Sequence, residues 1–343
     1  MKNNKISILG LLLCASLYVP VAAGYSQIYI FGDSLSDSGN AILATGGQIT
    51  QPPYPGLIPD FPYASGRLSN GPVWAETLAI DLGLTISSSL AGGNGYAFAG
   101  ARTGALMDVV SSSIPTINQQ VNNFITSASG SIATDALYVI WGGGNDIRDA
   151  AQAKNPVAVV RDSITNISTS ITSLADAGAQ NFLLPNLPDL GKTPAAQAAG
   201  PAAEAGLAIL SSVFDGLLTP SIMGLENNFG IDIKELDIDA LFKEISATPN
   251  NFGLTNISDA CIIVGGDSCS NPENYLFWDG LHPTTAAHSI IADKALNLVA
   301  PVPTPAMLPI YALGILMLGY VSSKRRVKTD STSYLNIKRK FRS

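Results

Sequence analysis

Histidine is scarce in this sequence: His282 and His288 are the only two in 343 residues. A mechanism that depends on an imidazole therefore has only two candidates. Cysteine is almost as scarce, with three residues, and none of them is spaced as C-x-x-C or grouped with histidine in a zinc-binding pattern. These absences exclude a thioredoxin-type redox motif and the common zinc motifs.

Basic side chains are also scarce between residues 24 and 300, where nine Lys or Arg residues accompany 25 Asp or Glu residues. Nucleic-acid binding relies on Lys and Arg to neutralise phosphates, so we expect no nucleic-acid partner. An acidic exterior is typical of a soluble secreted protein. About 277 residues are enough for one large α/β domain, and we assign 24–300 to it.

The first 23 residues have the composition of a secretory signal peptide. Two lysines precede an almost unbroken apolar run at 6–19, and small residues follow it. We therefore predict an exported chain whose signal peptide, residues 1–23, is removed. Cys14 leaves with that segment, and the remaining Cys261 and Cys269 have seven residues between them. In an exported protein this pair is expected to form a disulfide.

Residues 301–343 resemble the C-terminal sorting signals of bacterial surface proteins. A proline-containing motif at 301–305 precedes an apolar run at 306–321 and a basic cluster at 324–326. The run is near the lower limit of about 17 residues for a membrane-spanning helix, and the basic cluster would stay cytoplasmic. We predict a Pro-rich linker, a transmembrane or sorting segment and a basic tail. An anchored protein and a cleaved, released one are both compatible with this pattern.

Short apolar segments alternate with amphipathic ones along the predicted domain. Strands are predicted at 27–31, 136–141, 182–184 and 231–236, and helices at 72–82, 114–126, 156–177, 202–225 and 285–298. Such alternation predicts a three-layer α/β/α sandwich on a central parallel sheet of about five strands. Residues 45–68 are predicted to form a long loop. In the second helix, Asn118, Gln119 and Gln120 are expected to point outward.

Ser34 follows the first predicted strand, and reactive groups gather at the carboxyl edge of a parallel sheet. Alone it is weak evidence, because most serines after strands cap helices or turns. A serine nucleophile also needs an imidazole base, and that base needs an acceptor to orient it. His282 is one of the two imidazoles, and Asp279 lies three residues before it. Ser34, Asp279 and His282 are therefore the candidate catalytic residues.

Two glycine-bearing segments are candidates for stabilising the negative charge of a tetrahedral intermediate. In residues 93–101, Gly100 can present a bare backbone N–H, and in residues 142–146, Asn145 offers its side-chain amide. Donors aimed at that oxygen contribute about 3–4 kcal/mol each. A tight turn at the first segment and a helix N-cap at Asn145 are the simpler alternatives.

The order of these motifs resembles that of the GDSL, or SGNH, hydrolase family. They are Gly-Asp-Ser-Leu at 32–35, a glycine block around Gly100, Gly-Gly-Asn-Asp at 143–146 and Asp-x-x-His at 279–282. Each motif is weak alone, whereas four in this order and spacing are specific. The resemblance implies the flavodoxin-like SGNH-hydrolase fold. One departure is Ala99, which stands where the family's second block often has one of two paired glycines.

This resemblance implies acyl transfer through a serine ester, as in carboxylic ester hydrolases of the esterase and lipase type. Ser34 would be the nucleophile, His282 the general base and Asp279 its orienting group. The oxyanion hole would comprise the backbone N–H groups of Ser34 and Gly100 and the amide of Asn145. No metal and no organic cofactor are implied.

Further segments are similar to secreted GDSL lipases, a group that includes phospholipases A and glycerophospholipid–cholesterol acyltransferases. They are Gly-Arg-Leu-Ser-Asn-Gly at 66–71 and Leu-Pro-Asn-Leu-Pro-Asp-Leu-Gly at 184–191. The implied partner is a lipid or another ester, with membrane contact wherever the C-terminal segment is retained. Arg67 would contact an anionic head group or, as we prefer, pin its loop to a carboxylate. A carbohydrate O-acetyl esterase and a non-catalytic surface protein on the same fold are the alternatives.

Overall fold

Four short strands form the central sheet, and all of them are parallel. They are β1 (Ile28–Gly32), β2 (Leu137–Trp141), β3 (Asn181–Pro185) and β4 (Asp232–Leu236), hydrogen-bonded in the order β1-β2-β3-β4. The four predicted strands are thus confirmed. β2 is buried along its whole length, as its continuous apolar and aromatic sequence requires in a sheet covered on both faces.

Residues 94–98 extend the sheet beyond β1. The N–H of Ile30 donates to the Asn94 carbonyl at 3.2 Å, and the Ile30 carbonyl accepts from the N–H of Tyr96 at 2.7 Å. Ile30 thus forms hydrogen bonds with two residues of the neighbouring segment, Asn94 and Tyr96, as in a parallel strand pair. This segment forms only an isolated bridge, so the sheet has four strands within the described residues. The predicted three-layer sandwich on a parallel sheet is confirmed, with four strands where about five were expected.

Helices cover both faces of the sheet. On one face lie α3 (Ile117–Ser127), α5 (Pro156–Ala177) and α7 (Pro201–Phe229), and on the other α2 (Trp74–Asp81), α8 (Ile238–Ala247) and α9 (Thr285–Val299). Three shorter helices are α1 (Asn40–Ala44), α4 (Gly144–Ala150) and α6 (Pro194–Ala199). The sequence predicted α2, α3, α5, α7 and α9 but not α1, α4, α6 or α8.

The two faces divide the core, because successive strand side chains point to opposite sides of a sheet. In β2, Tyr138 and Ile140 pack with α3, α5 and α7, whereas Val139 and Trp141 pack with α2, α8 and α9. The sheet therefore separates two apolar cores, one on each face. The polar residues lie at its carboxyl edge.

By length and composition, α7 is the one helix among the described residues that could span a membrane. Here its side chains Leu210, Phe214 and Leu218 are buried in the core that it shares with α5. Its other side carries exposed apolar residues, among them Ile209 and Met223.

The computed structural model describes residues 24–44, 64–107, 109, 113–262 and 268–300. Within them, Tyr25–Ala300 is one compact unit. The predicted signal peptide, the C-terminal segment 301–343 and residues 45–63 of the predicted loop lie outside the described residues.

The orientation of α3 differs from the prediction. Gln119 is exposed as expected, but Gln120 is only 1% exposed, and Asn118 is half-buried. Asn118 accepts a hydrogen bond from the Ser170 hydroxyl of α5 at 2.5 Å. The prediction that all three polar residues point outward is wrong, because two of them serve buried hydrogen-bond partners.

Arg67 pairs with the carboxylate of Glu76 in α2. Its Nε donates to Glu76 Oε2 at 3.0 Å, and its Nη2 donates to Oε1 at 2.5 Å. The two-point geometry fixes the planar guanidinium against the carboxylate. The interpretation of Arg67 as a residue that pins its loop is confirmed.

A small two-stranded parallel sheet lies next to the C-terminal motif. β5 (Asn256–Ala260) pairs with β6 (Tyr275–Phe277), and Cys261, directly after β5, is joined to Cys269 in a disulfide. The N–H of Cys261 donates to the Phe277 carbonyl at 3.0 Å. The disulfide-bonded segment is thus attached to the strand that leads into Asp279.

Candidate active site

Ser34 lies two residues beyond the end of β1, at the carboxyl edge of the sheet, and is 7% exposed. A side chain at Gly32 would bring its Cβ within 2.3 Å of the Trp141 carbonyl oxygen in β2, so this position requires glycine. The Gln120 amide binds Gly32 twice: Oε1 accepts from its N–H and Nε2 donates to its carbonyl, both at 2.9 Å. The backbone that leads to Ser34 is therefore held by a buried side chain.

Asp279 and His282 lie in a tight turn between β6 and α9. Asp279 Oδ1 accepts the backbone N–H groups of Leu281 and His282, both at 2.7 Å. Its other oxygen, Oδ2, lies 2.8 Å from His282 Nδ1. Burial raises the pKa of Asp279, but the positive charge of His282 and these hydrogen bonds outweigh it and hold the pKa below its usual value. One carboxylate thus shapes the turn and orients the imidazole.

The imidazole of His282 connects this turn to the serine. Its Nε2 lies 2.8 Å from Ser34 Oγ, so Asp279, His282 and Ser34 form one continuous hydrogen-bonded chain. Asp279 is a carboxylate that can only accept, which favours the tautomer with hydrogen on Nδ1 and leaves Nε2 as an acceptor. This arrangement allows the ring to take the Ser34 proton during nucleophilic attack.

His288, the other imidazole, is buried in α9 and forms no hydrogen bond with the residues that the structure describes. Burial lowers its pKa to about 3, so the ring is neutral at physiological pH. Of the two candidate imidazoles, His282 is the one in contact with Ser34.

The predicted oxyanion donors occupy one region. Asn145 is the second residue of α4, rather than its N-cap, and its Nδ2 donates to the Ala101 carbonyl at 3.0 Å. The second hydrogen of that amide remains for a ligand. The backbone N–H groups of Ser34 and Gly100 form no hydrogen bonds within the described residues. Ser34 and Asn145 line the same cavity, whereas Gly100 lies outside its lining, one residue from Ala101.

The residues after Ser34 hold the glycine block, a role that the sequence reasoning missed. Asp37 Oδ2 accepts the N–H of Ala99 at 2.9 Å, which fixes the residue before Gly100. Asn40 Nδ2 donates to the carbonyls of Gly95 and Ala97 at 2.8 and 2.9 Å. Because Gly100 has a φ of +79°, a conformation that favours glycine, its N–H direction depends on these neighbours. Asp37 and Asn40 lie in the same sequence motif as Ser34, and this proximity was the signal from which their role could be predicted.

Asp146 fixes the chain on the C-terminal side of Gly100, at Thr103. Its carboxylate accepts the N–H and the hydroxyl of Thr103 at 3.1 and 2.5 Å and the hydroxyl of Ser163 at 3.1 Å. Burial raises the pKa of Asp146 to about 6 despite these hydrogen bonds. Burial likewise raises the pKa of Asp33, the neighbour of Ser34, to about 6, although the Leu35 N–H donates to it.

A cavity of about 460 Å³ opens beside Ser34 and His282. Its volume lies in the range of small-ligand sites. The walls are largely apolar and combine residues of β5, β6, α8, the turn after β6 and the segment after β3: Leu187, Pro188, Leu190, Phe242, Ile257, Leu276, Phe277 and Leu281. Charged side chains of both signs also line it, including Asp239 and Lys243, which pair with each other at 2.5 Å. The cavity therefore suits an ester with an apolar portion.

Known proteins are similar in sequence to this chain along most of its length. The chain is 26% identical to a phosphatidylcholine-sterol acyltransferase from Aeromonas hydrophila, over 87% of this chain and 97% of that protein. It is 27% identical to the esterase EstA of Pseudomonas aeruginosa, over 91% of this chain, and the match spans 53% of EstA, about half its length.

Solved structures give weaker matches. A phospholipase A1 from Streptomyces albidoflavus NA297 matches 80% of this chain and 100% of its own at 17% identity, with a TM-score of 0.39. A member of the lipolytic protein G-D-S-L family from Veillonella parvula matches 80% of this chain and 99% of its own at 12% identity, with a TM-score of 0.40.

The family of this chain is established by a match to a family model, rather than by any single relative. The model of GDSL-like lipase/acylhydrolase matches residues 28–295, which is most of the chain. Relatives named as esterases and lipases match over the same region. The chain therefore belongs to the GDSL-like lipase/acylhydrolase family and is an enzyme that hydrolyses ester bonds.

Proposed function

We propose that this chain is an exported serine esterase that cleaves carboxylic esters of lipids through a Ser34 acyl-enzyme. The observation that carries the proposal is the hydrogen-bonded chain from Asp279 through His282 to Ser34. Nucleophile, base and orienting group are within hydrogen-bond distance before any substrate binds, which is the arrangement that acyl transfer requires.

In the first step, His282 Nε2 takes the Ser34 proton as Oγ attacks the carbonyl carbon of the ester. The carbonyl oxygen gains the negative charge, and the N–H groups of Ser34 and Gly100 and the Asn145 amide donate to it. The intermediate then collapses to the Ser34 ester, and the imidazolium gives its proton to the departing alcohol. Asp279 stabilises the imidazolium throughout.

In the second step, water occupies the place of the alcohol. His282 takes a proton from the water, whose oxygen attacks the acyl carbon, and the intermediate collapses to a free acid. The proton returns to Ser34 Oγ, so the enzyme is restored. An acceptor alcohol in place of water would give a new ester instead, the kind of transfer that the name of the Aeromonas relative describes for that protein.

The apolar walls of the cavity favour a lipid ester over the carbohydrate ester that we considered as an alternative. Phe242, Leu276 and Phe277 offer no hydrogen bonds from their side chains, whereas a sugar needs several. Incubating the enzyme with acetylated xylan and with phosphatidylcholine separates these substrates. Faster release of acetate than of fatty acid would support the carbohydrate esterase.

The test of the proposed chemistry is hydrolysis of p-nitrophenyl octanoate by the full chain and by Ser34→Ala. We expect a fall in kcat of at least about 10³-fold, because loss of the nucleophile in a triad is among the most damaging single changes. Ser38→Ala is the matched control: its hydroxyl is buried nearby but has no hydrogen-bond partner among the described residues. Undiminished turnover in Ser34→Ala would contradict the proposal.

A fluorophosphonate probe separates this enzyme from a non-catalytic surface protein on the same fold. Such probes react with an activated serine and leave an ordinary hydroxyl unmodified. We expect labelling at Ser34 in the wild-type chain and none in His282→Ala. Absence of labelling in the wild type would support the non-catalytic alternative.

The proposal that the protein is exported depends on the sequence of its two ends, which lie outside the described residues. The proposed organisation is a signal peptide at 1–23, the hydrolase domain at 24–300 and a sorting or transmembrane segment with a basic tail at 301–343. N-terminal sequencing and intact mass of the protein from culture medium and from membranes test it. A first residue at Gly24 is expected, and an intact Met1 on the exported protein would contradict it.

A further inference from the structure

A second cavity, of about 640 Å³, lies on the α6 and α7 side of the Ser34 cavity. Small and apolar residues of α6 and of the first turns of α7 form most of its wall: Ala196, Ala199, Ala202, Ala203, Leu207 and Leu210. We call it the α6–α7 groove. The exposed side chain of Ile209, at 64% exposure, belongs to the same lining. An apolar surface of this extent beside an active site is typical of a binding site for a hydrocarbon portion of a ligand.

The groove and the Ser34 cavity share part of their walls. Arg148, Leu190, Thr193 and Leu281 line both. Leu281 directly precedes His282, so the shared wall lies next to the reacting groups. A molecule bound at Ser34 therefore has two apolar spaces within reach, one on each side of this shared wall.

One apolar chain can occupy only one of these two spaces. A single-chain ester would place its acyl chain in the Ser34 cavity and leave the groove empty. A lipid with two fatty chains on one backbone has a second hydrocarbon chain that must go elsewhere or remain in water. Transfer of that chain from water to an apolar wall is favourable, in proportion to the area removed from water.

We propose that the α6–α7 groove binds the second fatty chain of a two-chain lipid ester while the chain to be released lies in the Ser34 cavity. This inference rests on the proposed function and names its substrate class. Two-chain lipids would then be preferred over single-chain esters of the same acyl length.

Gly206 of α7 gives the means to test the groove without touching the reacting groups. It lines the groove, and a Cβ added there meets no atom within 4 Å, so a larger side chain enters open space. Gly206→Phe places an aromatic ring in the groove and replaces a helix-interior glycine, which favours folding. Gly216→Phe is the matched control, because Gly216 is exposed on the same helix, also meets nothing within 4 Å and does not line the groove.

The assay compares dioctanoyl phosphatidylcholine with p-nitrophenyl octanoate for the full-length wild type, Gly206→Phe and Gly216→Phe. We expect Gly206→Phe to lower kcat/KM for the two-chain lipid at least tenfold and to change that for the single-chain ester by less than about twofold. Gly216→Phe should leave both within twofold.

An equal effect of Gly206→Phe on both substrates, or on neither, would overturn the inference, and so would failure of the wild type to cleave the two-chain lipid while it cleaves the single-chain ester. These results leave the proposed chemistry intact, because that chemistry depends separately on the loss of p-nitrophenyl octanoate hydrolysis in Ser34→Ala.

Discussion

The side-chain amide of Gln120 forms two hydrogen bonds of 2.9 Å with the backbone of Gly32, one as acceptor and one as donor. Gln120 comes from α3, 88 positions along the chain, and is 1% exposed. The contact is made at Gly32, the last residue of β1, two residues before Ser34. A side chain from a packed helix thus fixes the end of the strand from which the backbone continues to Ser34.

Gln120→Leu tests this contact. The Gly32 carbonyl keeps a second donor, the N–H of Phe98 at 3.1 Å, but the Gly32 N–H loses its acceptor. A buried donor without a partner costs about 1–3 kcal/mol, so we expect the free energy of unfolding to fall by that amount in urea titrations. We also expect kcat to fall more than KM rises, because Ser34 loses its fixed position.

The control for this change is Asn122→Leu, because Asn122 is an exposed polar residue of the same helix and is not among its buried residues. It should alter neither stability nor kcat beyond about 0.5 kcal/mol and twofold. If Gln120→Leu behaves like Asn122→Leu, Gln120 does not position the serine segment.

The position of Gln120 could have been predicted, since 117, 120, 121 and 124 share one face of a helix. The expectation that Gln120 points outward rests on its polarity, whereas its helical spacing places it on the buried face with Ile117, Val121 and Phe124. β1, β2 and β3 are predictable because each is a mainly apolar run that ends at or just before Gly or Pro. The three residues Ser34, Asp279 and His282 were predictable from the rarity of histidine and the short spacing before it.

Other features depend on contacts between distant segments, which no local pattern reveals. The bond from the Ala99 N–H to Asp37 joins residues 62 positions apart. The α6–α7 groove exists because α6, α7 and the turn at Leu281 meet in space. The α8 helix was missed although Ile238, Leu241 and Ile245 have helical spacing, because the segment is short and follows a strand directly.

Asp279→Asn separates the two roles of this carboxylate. The asparagine oxygen can still accept the two backbone N–H groups that shape the turn, so we expect the fold to persist. The amide nitrogen cannot accept from His282 Nδ1, which favours the tautomer with hydrogen on Nε2 and removes the base. By analogy with the Asp→Asn change in the Ser-His-Asp template, kcat should fall about 10⁴-fold at neutral pH.

The measurement is steady-state hydrolysis of p-nitrophenyl octanoate beside thermal unfolding. A small change in melting temperature with a large loss of kcat is the expected pair of results. A loss of kcat below tenfold would show that His282 does not depend on Asp279 for its orientation.

Asn145→Ala tests the predicted oxyanion donor. Removal of one such donor lowers kcat by about 10²–10³-fold, because the interaction strengthens as charge develops on the oxygen. KM should change by less than about threefold, since the ground-state ester binds this amide weakly. The Ala101 carbonyl also loses a donor, so the free energy of unfolding should fall by about 1 kcal/mol.

Asn145→Asp is the companion variant. It keeps the size of the side chain but replaces a donor with a negative charge beside the developing oxyanion, so its kcat should be no higher than that of Asn145→Ala. A value of kcat within threefold of wild type in either variant would remove Asn145 from the oxyanion hole.

Asp146 gives the stability of the protein a pH dependence. Its pKa in the folded state is raised to about 6 from an ordinary value of 3.8, so between these values the folded protein holds a proton that the unfolded chain has released. Stability from this group is fully present below about pH 4 and is lost as pH rises through about 6. Asp146→Asn cannot ionise, yet its oxygen can still accept from Thr103.

We therefore expect the free energy of unfolding of the wild type, measured in urea, to fall by about 1–3 kcal/mol relative to that of Asp146→Asn between pH 4.5 and 7.5. Asp176→Asn, which changes an exposed carboxylate on α5, should follow the wild-type curve. If the curves of wild type and Asp146→Asn run parallel over this range, Asp146 is ionised equally in the folded and unfolded states. The three hydrogen bonds that its carboxylate accepts would then be strong enough to offset its burial.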